Sequence, residues 1–328
     1  MSSPMLTVND FTDRSGNAAT PKPYGQALLE AARRDPRIVA LTADLSGPTE
    51  TDLIRDALPA QFFQAGIAEA NMVGMAGGMA RCGCIPFVHT FSVFATRRAY
   101  DQVAMQLAYP NLNAKLVGFI PGLDTLLGVS HQAIDDIALM RALPNMRIIE
   151  PAPGQTAQAV AEALAHEGPV YLRLARAGGG AGKAGIPAAN GLARLRAGRD
   201  GLLLACGLSV PAAQAAAGQL QERGLDVGVI AVTRLKPLPE ELLAHVLEAG
   251  TVLTIENHSV IGGLGAAVAE AIAESGRAVR FKRIGVPDRF AYGASTPYLM
   301  REFGLDAPAV VEAFLALKAS SAGGRADA

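Results

Sequence analysis

The 328-residue chain has no Trp and only three Cys, with 11 Phe and 6 Tyr. Two of the cysteines form Cys82-Gly83-Cys84, a spacing too tight for a zinc knuckle and without a second half. The plain reading is free, largely buried thiols in a reducing compartment. Net charge is only −1. No basic cluster interleaved with aromatics appears, which argues against a nucleic-acid surface. No stretch reaches the roughly 20 apolar residues that span a bilayer. The N-terminal MSSPMLTVNDFTDRSGNAAT has no apolar core of a secretory signal. The expectation is a soluble, cytoplasmic protein. GxxxxGK[ST] and GxGxxG phosphate loops, nucleophile-elbow triads and metal-ligand histidine spacings are missing as well.

What is present is apolar residue in quantity. Half the residues are hydrophobic and 18% are charged, enough for a large core in two domains of ordinary size. Apolar strand-length runs (38–45, 61–67, 85–91, 115–121, 147–151, 169–175) alternate with helical segments (24–34, 69–81, 93–108, 134–142, 155–166). A Gly/Ala-rich stretch, RAGGGAGKAGIPAANG, reads as a linker. A second set follows, with strands at 201–207, 226–232, 251–257 and 279–286. Helices are expected at 210–222, 239–248, 263–275, 297–303 and 307–318. The fold class is therefore α/β, two domains, each a mainly parallel sheet flanked by helices. The expected division is a disordered arm 1–19, a domain 20–177, a linker 178–195, a domain 196–318 and a disordered tail 319–328.

Four places carry candidate chemistry. Glu69 opens the apolar helix GIAEANMVGMAGGMA. It is either a helix-start acid facing water, favoured by the helix dipole, or a buried carboxylate suited to sharing a proton. Phe91 and Phe94, three apart at the end of a strand, are either core aromatics or a platform for a flat ring. Strand ends of this kind are where open α/β sheets bind ligands. His131, in a Gly- and Ser-flanked loop, is a candidate acid/base or hydroxyl ligand. In ENHSVIGGLG, the glycines read as close helix–strand packing at an interface, with His258 a weaker candidate.

Together and in order, TADLSGPTETD, FFQAGIAEANMVGMAGGMA, PFVHTFSVFATRRAYDQV, SHQAIDDIALMRALPNM and IENHSVIGGLG resemble the second half of transketolase. The resemblance covers about residues 20–318 and implies a pyrimidine-binding domain followed by a transketolase C-terminal domain. It implies that Glu69 bonds the aminopyrimidine of thiamine diphosphate and so helps activate the thiazolium. It places Phe94 against that ring, Phe91 in the same pocket and Asp44 near the cofactor. It puts His131 in the substrate channel, and offers Arg176, Arg173 and His258 as substrate ligands. The diphosphate- and metal-binding GDG…N-type motif of the family does not occur here. The resemblance therefore implies a split enzyme, in which a separate N-terminal subunit holds the diphosphate and Mg2+ in an α2β2 assembly. The implied reaction passes a two-carbon ketol unit from a ketose to an aldehyde. A 2-oxo acid dehydrogenase β subunit and a non-catalytic scaffold are the alternatives.

The sequence also departs from the family pattern. Pro21 stands where transketolases often have a phosphate-binding arginine. The loop GFIPGLDTLLGVSH lacks the family's first histidine and acidic pair, with Phe119 or Ile120 near the missing histidine. A less polar pocket mouth and a modified sugar substrate are expected.

Overall fold

Alternating apolar strands and amphipathic helices bury themselves as layers, and the computed structural model shows two sheets built this way. The structure describes residues 21–175 and 190–319. The first half runs α1 (Pro23–Arg34), β1 (Ile38–Thr42), α2 (Asp52–Ala57), β2 (Phe62–Gln64), α3 (Glu69–Arg81) and β3 (Ile85–Phe91). A helical stretch follows, with π-turns at Phe94–Arg98 and Val103–Ala108 on either side of α4 (Tyr100–Gln102). Then come β4 (Lys115–Phe119), α5 (Asp136–Ala142), β5 (Arg147–Ile149), α6 (Thr156–Ala165) and β6 (Val170–Leu174).

The second half runs β7 (Leu192–Arg196), β8 (Gly201–Ala205), α7 (Val210–Glu222), β9 (Val227–Val232), β10 (Arg234–Lys236) and α8 (Glu240–Ala249). It ends with β11 (Thr251–Ser259), α9 (Leu264–Glu274), β12 (Arg280–Val286), α10 (Thr296–Glu302) and α11 (Ala307–Ala319). No helix among the described residues is long and apolar enough to cross a membrane.

The first sheet has the order β10-β5-β6-β4-β3-β1-β2, and the second β12-β11-β8-β9-β7. β1 to β6 are parallel neighbours, with Phe91 of β3 opposite Phe119 of β4. All residues of β1, β3, β4 and β6 are buried, as expected of strands covered on both faces. α1 and α6 share one core with the sheet, while α3 and α5 belong to the other. That second core runs on into Leu204, Ile230 and Leu264, so the two halves meet across apolar side chains.

Two strands lie where the sequence pattern shows none. Residues 192–195, the end of the expected linker 178–195, form with Arg196 an edge strand paired antiparallel with β9. Its short apolar start was masked by the Gly/Ala-rich composition before it. β10 comes from the second half, yet it pairs antiparallel with β5 and completes the first sheet. A three-residue strand has no periodicity to read, and its partner alone defines it.

Candidate active site

β4, β3, β1 and β2 are neighbours in the sheet, so the segments leaving their C-terminal ends share one edge. Asp44 follows β1, Glu69 follows β2, Phe91 and Phe94 lie at the end of β3, and His131 lies in the loop after β4. The chain turns from β2 into α3 through Gly66, whose φ of 72° suits glycine. Glu69 is then the first helical residue, and its side chain is only 3% exposed. Gln64 ties this turn to its neighbour. Its side-chain oxygen accepts from the backbone N–H of Asp44 at 2.8 Å and of Gly66 at 3.1 Å. Its amide donates to Asp44 Oδ1 at 3.3 Å. Asp44 is exposed and left-handed, with φ of 59°, a conformation aspartate tolerates better than most residues.

Glu69, Phe91, Phe94 and His131 form one cluster, joined by Arg98. Arg98 Nη1 donates to Glu69 Oε1 at 2.9 Å and to Oε2 at 3.1 Å. The same guanidinium lies over Phe94, its Cζ 4.1 Å from the ring centroid. His131 meets Phe94 edge-on at 5.2 Å between centroids, and Phe91 lies 6.0 Å from His131 and 6.1 Å from Phe94. Burial first, and then the positive charge of Arg98, hold His131 below its ordinary value of 6.5. Ser130 Oγ lies 3.0 Å from His131 Nδ1, which leaves Nε2 for another partner. The arrangement offers a buried carboxylate, a ring face and a histidine that is neutral near pH 7.

Sequence reasoning overlooked Arg98 and Gln64. Arg98 is in a quoted segment, but nothing in RRAYDQ marks which arginine turns inward. Its neighbour Arg97 instead donates to Asp135 at 2.8 and 2.9 Å and holds the start of α5.

Arg173 and His258, expected as substrate ligands, are both buried, at 1% and 0% exposure, and their side chains are engaged inside the protein. Arg173 donates to Asp136 Oδ2 at 2.7 Å, to Asp136 Oδ1 at 3.1 Å, to Glu150, and to the Asn257 carbonyl at 3.0 Å. His258 Nδ1 is 2.7 Å from the Ser259 carbonyl, and burial lowers its pKa to about 4. Arg176 lies outside the described residues. Phe119 and Ile120 are buried, and Ile120 has φ of 50°, a strained value for a β-branched residue. The loop from there to His131 is pinned to the second half. Leu123 N–H donates to Asn257 Oδ1 at 2.9 Å, and Gln132 Nε2 to the Tyr292 carbonyl at 3.0 Å.

Residues 17–179 match the family described as transketolase, pyrimidine binding domain, and residues 191–310 match transketolase, C-terminal domain. The chain is 42% identical to a putative uncharacterized transketolase family protein of Sinorhizobium fredii, over 89% of this chain and 86% of that one. It is 41% identical to a 6-deoxy-6-sulfo-D-fructose transketolase subunit of a Clostridium species, over 88% of this chain and 91% of that one. Among solved structures, it resembles a split gene transketolase described as an inactive beta4 tetramer. The TM-score is 0.82 at 41% identity, covering 90% of this chain and 97% of that chain.

Proposed function

The chain belongs to the transketolase family, and on that premise we propose that it is the pyrimidine-binding and C-terminal subunit of a split, thiamine-diphosphate-dependent transketolase. Relatives of matching length support the split reading, since one is named a transketolase subunit and another a split gene transketolase. The observation that carries the catalytic reading is the Glu69–Phe94 pair. A buried carboxylate faces a flat, delocalised hydrogen-bond donor that rests on an aromatic ring. A site that accepts a guanidinium this way has the chemistry to accept an aminopyrimidine.

The carbon nucleophile that attacks the donor ketose is chemistry that thiamine diphosphate supplies when bound. The protein's own residues do the rest. Glu69 holds and exchanges a proton at a ring nitrogen of the pyrimidine. Phe94 fixes the plane of that ring, and Phe91 closes the pocket beside it. Asp44, anchored by Gln64, lines the same sheet edge. His131, neutral and fixed by Ser130 at Nδ1, presents Nε2 to a substrate hydroxyl. Arg176 is the candidate cation for a substrate's anionic end. The diphosphate and Mg2+ fall to a separate N-terminal subunit, in an α2β2 assembly.

The substrate we favour is a modified sugar. The loop before His131 exposes Leu127 and Val129 rather than charge, and a similar subunit is named for a sulfonated deoxyketose.

The test is a coupled ketol-transfer assay with thiamine diphosphate and Mg2+ over a panel of ketose donors. It compares this chain alone with this chain plus a co-expressed N-terminal subunit. Turnover in the mixture only is expected. Glu69→Gln should assemble normally and lower kcat by about 10²–10⁴-fold. Turnover by the chain alone, or full activity in Glu69→Gln, would refute the reading. Ordinary pentose phosphate kinetics would refute the substrate preference alone.

A further inference from the structure

A guanidinium already fills the space between Glu69 and Phe94. Arg98 meets both Glu69 oxygens and places its Cζ over the Phe94 ring, 4.1 Å from the centroid. Guanidinium is planar, delocalised and rich in donors. A protonatable amino-substituted ring has the same three properties, and it needs the same carboxylate and the same ring face. One face of Phe94 takes one flat partner, so the two cannot be held together.

Burial explains why a placeholder is useful. The Glu69 side chain is 3% exposed, and a buried carboxylate without a partner is costly. A chain folded before its cofactor arrives needs a temporary partner there. Arg98 can serve and then leave, because its own side chain is 48% exposed and opens to solvent. Arg97 cannot substitute, being held by Asp135 and the Gln132 carbonyl.

We propose that Arg98 is a positioning residue that occupies the pyrimidine seat of the free chain and must swing out as the cofactor enters. The idea rests on the functional reading above, and its test separates the two. The co-purified complex with the N-terminal subunit is titrated calorimetrically with thiamine diphosphate, as wild type, Arg98→Gln and Arg98→Ala. Removing the competitor gives up a half-exposed ion pair and one cation–π contact, so cofactor affinity should rise about tenfold.

A second readout depends on chemical replacement. In Arg98→Ala, guanidinium chloride at low, non-denaturing concentration should refill the seat and weaken cofactor binding. Sodium chloride at equal ionic strength should not, and wild type should respond less. Unchanged or weaker affinity in the variants, or no guanidinium effect in Arg98→Ala, overturns the placeholder. If the variants do not assemble, Arg98→Lys keeps the charge without the planar fork and should give a smaller gain, with no gain counting against the idea. A wild-type complex that binds no thiamine diphosphate overturns the functional reading, and the placeholder with it.

Discussion

At the scale of single residues, His131 shows what a neighbouring charge does to a candidate acid/base group. Its pKa is lowered by burial and, second, by Arg98. Both disfavour the imidazolium, so the ring stays neutral into mildly acidic solution and can accept a hydrogen bond there. Removing Arg98 removes only the smaller cause. In Arg98→Gln, the His131 pKa should therefore move up toward 6.5 without passing it. Titration of the imidazole carbon-bound protons by NMR in the full chain checks this. A titration identical to wild type would mean that the charge of Arg98 does not reach the ring. Glu69, Phe91, Phe94 and His131 could each be singled out from residue type and local setting. Arg98 could not, because the choice between Arg97 and Arg98 depends on how the helical turn carrying them is wound.

At the scale of elements, that winding is a π-turn over Phe94–Arg98. A π-turn admits one more residue per turn than an α-helix with no change in composition, so a helix over 93–108 is readable and its register is not. The loop after β4 is a second case. Gly122 sits at φ of 60°, and an added Cβ would lie 2.2 Å from the Asn257 carbonyl oxygen and 2.5 Å from Asn257 Oδ1. This close approach is what lets Asn257 hold Leu123 and the Pro121 carbonyl. Gly122→Ala should cost about 2–4 kcal/mol, from left-handed strain plus overpacking against β11. Urea unfolding measures it. A loss below about 1 kcal/mol would show that the loop moves aside at little cost.

At the scale of the molecule, a buried charge network joins the two halves. Arg173 of β6 reaches Asp136 of α5, Glu150 beyond β5, and the Asn257 carbonyl of β11. Tyr171 adds a 2.6 Å hydrogen bond to Asp136. Burial raises Asp136, but Arg173, His258 and Tyr171 outweigh it and hold the carboxyl below its ordinary range. Such a cluster is weak evidence of net stabilisation as a whole, yet costly to break at one member. Arg173→Met leaves two buried carboxyls without their cation and should lose about 3–5 kcal/mol. Urea melts at neutral pH would show it, and a loss under about 1 kcal/mol would mean that water or a rearranged partner compensates. Arg173, expected to hold substrate, thus links the two halves through its buried partners.

The sequence by itself determined the alternation of strand and helix, the two-domain α/β class, the carboxylate opening an apolar helix, the aromatic pair and the loop histidine. Each is local, since strand and helix periods and glycine turns are written within a few residues of one another. Only the tertiary structure decided where the long charged side chains end. Arg98 finds Glu69 across 29 residues of sequence, and Arg173 finds Asn257 across 84. The pairing of β10 with β5 is likewise a meeting of distant segments. An arginine's flexible reach means that residue type and spacing leave its partner open. The packing of separate elements settles it, by fixing which carboxylate lies within that reach.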